Sequence, residues 1–242
     1  VNFIAFDNFV ALFQDELFLR SIVNTFYFVI VGIPLTMAAG LVLAVALNSG
    51  IDRFRAVFRV GYYTPVVTSI VAVAVVWRFI LQDSGLMNTV LAWVGIDGPD
   101  WLNDPVWAMP SIIAMAVWRN MGTLMIIFLA GLQAIPRELY EAAEVDGAGT
   151  WRRFSGITLP LMRPTLLLGA VLLSVGFLQV FEEPFVMTQG GPLNSTLTIS
   201  YYVYSQFGYG DYSLASAAAY VLFAFIAALS AVQFRLLRSK DN

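Results

Sequence analysis

Residues 22–47 read IVNTFYFVIVGIPLTMAAGLVLAVAL, 26 positions without one charged side chain. About 20 apolar residues in a helix cross the roughly 30 Å hydrocarbon core of a bilayer, so this stretch is expected to span a membrane. Four further apolar runs lie at 60–81, 106–135, 164–181 and 213–234. Backbone polar groups in lipid are satisfied only in helices or closed barrels. Barrel strands alternate apolar and polar residues over about ten positions, and Ile70–Val76, IVAVAVV, does not. The expectation is therefore an all-α membrane protein, a polytopic helix bundle forming one domain over 1–242. The fourth run is short, and it continues through Pro184 to Met187 if Glu182 and Glu183 face protein or a water-filled cavity.

Composition agrees. Of 242 residues, 59% are apolar and 12% charged, against about 25% charged in ordinary soluble domains, and the mean hydropathy is +0.77. Cysteine and histidine are both absent, which excludes disulfide frameworks, Cys/His zinc sites, thiol nucleophiles and imidazole bases. No metal site is expected. A net charge of −3 and a pI near 4.9 argue against a nucleic-acid partner.

Basic residues orient the spans. Segments 48–59, 136–163 and 235–242 carry ten: Arg53, Arg55, Arg59, Arg137, Arg152, Arg153, Arg163, Arg235, Arg238 and Lys240. The alternate segments 1–21, 82–105 and 182–212 carry only Arg20. The richer set belongs in the cytoplasm, which puts the C-terminus inside. Five spans would then leave the N-terminus outside with no signal peptide visible, so a sixth span is expected upstream. The outer segments hold Trp93, Trp101 and Trp107, then Tyr201, Tyr202, Tyr204, Tyr209 and Tyr212. These suit an interfacial aromatic belt first, and sugar stacking second.

The cytoplasmic segment 136–163 reads PRELYEAAEVDGAGTWRRFSGITLPLMR. Pro136 suits the first turn of a helix, Glu138 and Glu141 favour its positive end, and Gly147 suits the left-handed residue that ends it. Such a helix has about ten residues and is roughly 15 Å long. Ala142 and Ala143 leave little bulk on part of its surface, so it fits a cleft. Thr150 is placed to cap a second short helix through Trp151–Phe154, and Pro160 and Pro164 interrupt the chain before the next span. Local physics alone also allows an amphipathic segment resting on the bilayer.

This loop resembles the EAA motif of the permease subunits of bacterial binding-protein-dependent ABC importers. The motif is E-A-A, three residues, G, nine residues, then I-x-L-P. Glu141, Ala142, Ala143, Gly147, Ile157, Leu159 and Pro160 stand at those spacings. Trp77-Arg78-Phe79 with Gly85 and Asn88, and Thr188-Gln189-Gly190-Gly191-Pro192 with Thr196, are similar to the carbohydrate-uptake branch. The resemblance covers nearly the whole chain, which looks like the partner lacking a glycine-rich basic tail in maltose-type and glycerol-phosphate-type importers. It implies a multi-pass protein of the bacterial inner membrane, set in lipid and paired with a second homologous permease. It also implies two cytoplasmic ATPase subunits and an external substrate-binding protein. Through the loop, Glu138 included, the ATPases would switch the pore between outward-facing and inward-facing states, driven by differential binding of ATP.

ATP and its Mg are expected on the partner ATPase, with no cofactor bound by this chain. A phosphate-cradling G-x-x-x-x-G-K-[ST] loop needs a lysine, and the one lysine, Lys240, has no glycine framework around it. No enzyme chemistry is evident, since Glu182 and Glu183 sit at an outer helix end beside Pro184, where a pore rim suits them better than acid/base catalysis. The alternative is a secondary transporter driven by an ion gradient. Such proteins place a carboxylate near the midplane, and the spans hold none apart from that pair.

Two proline-interrupted stretches are candidates for the substrate path: Tyr62-Tyr63-Thr64-Pro65-Val66, and Gly176-Phe177-Leu178-Gln179-Val180 leading to Glu182. Irregular backbone at membrane depth is tolerated where it is buried in protein or lines a cavity, and the resemblance implies that these two spans hold the sugar. Tyr63, Val66, Gly176, Phe177, Gln179, Val180 and Glu182 are the residues singled out. Gln179 lies past the midplane and can exchange hydrogen bonds with a hydroxyl, or else serves as interhelical glue. Arg119, near the middle of its span, should meet Glu182 or Glu183, a carbonyl or an anionic substrate, because an unpaired charge there is costly. Arg78 snorkels to the outer surface.

Overall fold

A computed structural model describes residues 6–49 and 55–238. Among them every regular element is helical. Four helices are long and apolar enough to cross a membrane: Glu16–Asn48, Ile70–Trp93, Ala108–Gln133 and Tyr212–Arg235. A bent pair, Thr150–Leu161 with Arg163–Leu178, meets at 63° and makes a fifth if the two helices are counted as one span. Of the basic residues that orient the chain, Arg53 and Lys240 lie outside the described residues.

After the short α1 (Asp7–Gln14), α2 (Glu16–Ser49) runs the length of the first expected span. The second expected span, 60–81, is not one rod. It is divided into α3 (Arg55–Val67) and α4 (Ile70–Leu81), with the break after Pro65 at Thr68–Ser69. A short α5 (Leu86–Trp93) extends the apolar path outward. The third run forms α6 (Ala108–Gln133) and the last α13 (Tyr212–Arg238). The fourth forms α10 (Arg163–Leu178), which stops before Gln179; the chain resumes as α11 (Glu182–Met187) and then α12 (Ile199–Tyr209). Pro184 lies inside α11 and Glu183 is buried, so the acids do face protein at one of the two positions.

The chain divides into two compact units. One comprises Val1–Ile33, Thr68–Ala116 and Ser174–Ala231, the other Pro34–Val67, Val117–Leu173 and Val232–Asn242. In the first, Leu12, Phe18, Leu197, Ile199, Tyr202, Ala217 and Ala218 form a core around α1, α2, α12 and α13. In the second, α3 and α6 meet backbone to backbone: a Cβ built on Gly122 would collide with the Tyr62 carbonyl oxygen. Small residues permit this approach, and in lipid it replaces the hydrophobic driving force that water would supply.

Candidate functional site

The loop 136–163, expected in the cytoplasm, takes the form that its residues dictate, with small adjustments. Helix α7 (Arg137–Val145) has nine residues, one fewer than expected, and Pro136 stands at its N-cap rather than in its first turn. Gly147 has φ +73°, the left-handed conformation that glycine adopts without strain. The Ala148 amide donates to the Ala143 carbonyl at 2.8 Å and the Gly147 amide to that of Glu144 at 3.0 Å, closing the turn. Thr150 does not cap α8 (Thr150–Arg153). Gly149 holds the cap position and makes no side-chain bond, so Thr150 is already the first helical residue. A π turn comes next over Phe154–Thr158, then α9 (Leu159–Leu161) with Pro160 in its first turn. Glu138, Glu141, Ala142, Gly147 and Leu159 are exposed, while Ala143, Ile157 and Pro160 are half-buried. Val145 is 89% exposed and Trp151 77%, and Leu139 on α7 is also exposed, which leaves the loop with uncovered apolar side chains.

Two side-chain links in this loop had no signal in the motif. The hydroxyls of Tyr140 and Thr158 are hydrogen-bonded at 2.8 Å, and Arg153 Nη1 donates to Glu144 Oε2 at 3.2 Å. Tyr140 and Thr158 also line a small groove of about 190 Å³ with Val45, Asn48 and Leu132.

The segment 179–202, expected outside, is built differently. The Asn24 amide, inside α2, donates to the Asn194 and Leu197 carbonyls at 2.8 and 2.9 Å. Thr25 accepts from the Ile199 amide at 3.0 Å, and Thr198 donates to the Val180 carbonyl at 2.8 Å while capping α12. Thr188 and Thr196 share a hydroxyl bond of 2.7 Å across the Gly190–Gly191 turn, where the Gly191–Pro192 peptide is cis. The Tyr202 hydroxyl donates to Asp15 at 2.5 Å. Burial pushes the Tyr202 hydroxyl above its ordinary pKa, and the bond to Asp15 adds to the effect. The expected belt residue Tyr202 is thus a buried strut, whereas Tyr204, Tyr209 and Tyr212 are exposed. Phe181, Phe185, Tyr201 and Tyr204 form one ring cluster, with Phe181 and Tyr204 5.0 Å apart.

Of the expected path residues in the first unit, Gly176, Gln179 and Glu182 are exposed. Phe177 and Val180 are buried, and the Phe177 ring packs 5.0 Å from Phe28. Gln179 occupies the turn after α10, its amide donating to the Gly176 carbonyl at 3.2 Å. In the second unit, Tyr63 is exposed and Val66 half-buried on α3. Arg119 stands on α6 three residues before the Gly122 contact, and its Nε is buried without a hydrogen-bond partner among the described residues. Arg78 is exposed in the last turn of α4.

Residues 10–239 match the family described as "Binding-protein-dependent transport system inner membrane component", and the chain belongs to it. It is therefore a transport component of an inner membrane and not an enzyme. It is 37% identical to the lactose transport system permease protein LacF of Rhizobium radiobacter, over 96% of this chain and 80% of that one. To the sulfoquinovosyl glycerol transport system permease protein SmoG of Agrobacterium fabrum it is 36% identical, over 99% and 78%. Among solved structures it is similar to a bacterial ABC transporter involved in the import of the acidic polysaccharide alginate. That likeness has a TM-score of 0.89 and 30% identity, and it covers 99% of this chain and 85% of the other. A related structure of the alginate transporter includes a pentasaccharide-bound periplasmic protein; there the TM-score is 0.87. The resemblance to carbohydrate-uptake ABC permeases holds.

Proposed function

We propose that this chain forms half of the translocation pathway of an ATP-driven importer for a sugar or related polyol. It pairs with a second permease, takes its cargo from an external binding protein, and couples to two cytoplasmic ATPase subunits through α7. The observation that carries the coupling is the shape of 136–163: a nine-residue helix ended by a left-handed glycine, bearing exposed acids and uncovered apolar side chains. A helix resting on lipid would turn its apolar face to the bilayer, and it would have no use for the left-handed turn that returns the chain to α8. ATP and Mg are held by the ATPase. Within one unit the candidate path residues are Tyr63, Val66 and Arg119; within the other they are Gly176, Gln179 and Glu182, with Phe177 and Val180 as packed supports. Arg119 meets an anionic or carbonyl group brought by the substrate or by the neighbouring permease.

Co-purification tests this reading. Affinity capture of the tagged chain from its native membrane should bring down an ATPase subunit, and vesicles holding the complex should take up sugar only with ATP and the binding protein. Uptake by this chain alone under a proton or sodium gradient would replace the reading with the secondary-transporter one. The orientation has its own check. Asn194 is exposed, so Asn194→Cys should react with an impermeant thiol reagent in intact cells, whereas Gly149→Cys should not. Asn88 is less suitable for labelling, because its side chain accepts from the Trp101 indole at 2.6 Å.

A further inference from the structure

The turn that returns the chain from α7 is soft by composition. Gly147 and Gly149 lie within three residues of each other, the backbone there is exposed, and short backbone bonds from Asp146, Gly147 and Ala148 back into α7 close it. A helix pushed from outside on such a hinge would swing without moving α8 or the residues beyond it. The Tyr140–Thr158 hydrogen bond bypasses the hinge. Tyr140 leaves the middle of α7, and Thr158 is the last residue of the π turn and 6% exposed. Turns of the i→i+5 type are uncommon and concentrate at functional positions. From Thr158 the chain runs through α9 to Met162, which is 1% exposed. The Met162 sulfur packs closely against Gly131 of α6, 2.9 Å from where a Cβ would stand, and α10 begins at the next residue. Glu144 and Arg153 make a second link across the same turn, but the Glu144 side chain is 70% exposed, so solvent screens it.

We infer that Tyr140 and Thr158 form a strut that makes α7 and the base of α10 move as one body, so that displacement of α7 is passed to the span and not absorbed in the Gly147 turn. Both are positioning residues for transport. The inference rests on the reading of α7 as the ATPase-docking helix.

The test uses the complete importer in vesicles with its binding protein, and it reads sugar molecules moved per ATP hydrolysed. A purely structural role would lower the amount of assembled complex and leave this ratio alone. Tyr140→Phe and Thr158→Val each remove one hydroxyl at nearly constant volume and should lower the ratio about two- to ten-fold, the worth of one hydrogen bond. The double variant should be no worse than either single one, because both remove the same bond. Thr158→Ser keeps the hydroxyl and should keep the ratio, and Glu144→Gln should change it less than about two-fold. An unchanged ratio in both single variants, or losses that multiply in the double, would overturn the strut. Docking is read separately by cross-linking Leu139→Cys on α7 to the ATPase subunit. A cross-link with an unchanged ratio removes the strut and leaves docking standing. No cross-link in otherwise unaltered protein removes docking, and the strut falls with it.

Discussion

The loop 136–163, proposed as cytoplasmic, and the segment 179–202, proposed as outer, are similar in length, yet they are held in opposite ways. The loop is shaped by rules that act within a few residues: a proline at the N-cap, Glu138 in the first turn of α7, a glycine at φ +73°. Few of its side chains are buried. The outer segment buries Glu183, Ser195, Thr196 and Thr198, and it hangs from α2 by bonds from Asn24 and Thr25 that span more than 160 residues of sequence. A loop proposed to fit a partner keeps its surface free and its shape local. A part that must hold a broken helix at membrane depth needs partners for its backbone, since lipid offers none.

Asn24→Ala should show the largest effect. The buried Leu197 carbonyl loses its side-chain donor, at about 1–3 kcal/mol for a group left unsatisfied, and the part-buried Asn194 carbonyl keeps only the Leu197 amide at 3.3 Å, at about 0.5–1.5 kcal/mol for the lost bond. The purified complex should unfold at clearly lower temperature and uptake should fall with it. A melting point like that of an exposed substitution would mean that the outer segment does not depend on α2. Tyr202→Phe comes next, at about 1.5–3 kcal/mol for a bond to a charged acceptor. The Tyr202 hydroxyl has its pKa raised in the folded protein. Its contribution is therefore complete below the unfolded tyrosine pKa of about 10 and is lost as pH rises through the folded value. Stability measured from pH 8 upward should drop near the alkaline end in the unaltered protein, and less so in Tyr202→Phe. Equal alkaline sensitivity in the two would assign it to another group.

The loop should behave in the reverse manner. Gly147→Val forces a β-branched residue into the left-handed region, at about 1–2 kcal/mol, in an exposed turn where little else depends on it. Unfolding should shift less than in the Asn24 and Tyr202 variants while uptake falls by more than that shift explains, and Glu141→Lys should weaken retention of the ATPase by reversing a charge. If both variants insert and transport normally at matched expression, α7 is a surface helix and the contrast between the regions loses its functional half.

The same contrast explains what could be read from the residues. The five apolar runs, the all-helical class and the left-handed Gly147 rest on composition and on steric rules within a few positions, and the structure has them. The division of 60–81 into α3 and α4 was half visible: Pro65 announced an interruption, but the break falls at Thr68–Ser69, because α3 carries Pro65 near its end without stopping there. Asn24 is a polar side chain in a span, which marks it for some partner, but nothing nearby in sequence says that the partners are carbonyls of the outer segment. Tyr140 and Thr158 are ordinary residues of a helix and a turn until the fold brings their hydroxyls together. Phe177 and Val180 appeared as path candidates because they flank the break, and their burial arises from packing in three dimensions.

Gln179 brings the contrast to a single side chain, and its expected effect is the smallest on stability. It sits in the break between α10 and α11 among residues whose backbone is held: its own amide donates to Gly176, and the next carbonyl, of Val180, accepts from Thr198. Its side chain is exposed, and a Cβ on neighbouring Gly176 would meet nothing within 4 Å, so the surface here is open. The fixed backbone presents a free amide, able both to donate to and accept from a sugar hydroxyl. Truncation leaves no buried group unsatisfied. Gln179→Ala should therefore leave assembly, thermal stability and basal ATP hydrolysis unchanged while lowering uptake about two- to ten-fold, the worth of one net hydrogen bond. Unchanged uptake affinity and rate would remove Gln179 from the path. A complex that fails to assemble would instead make the amide a contact with the neighbouring permease, and the break would then serve the interface between subunits.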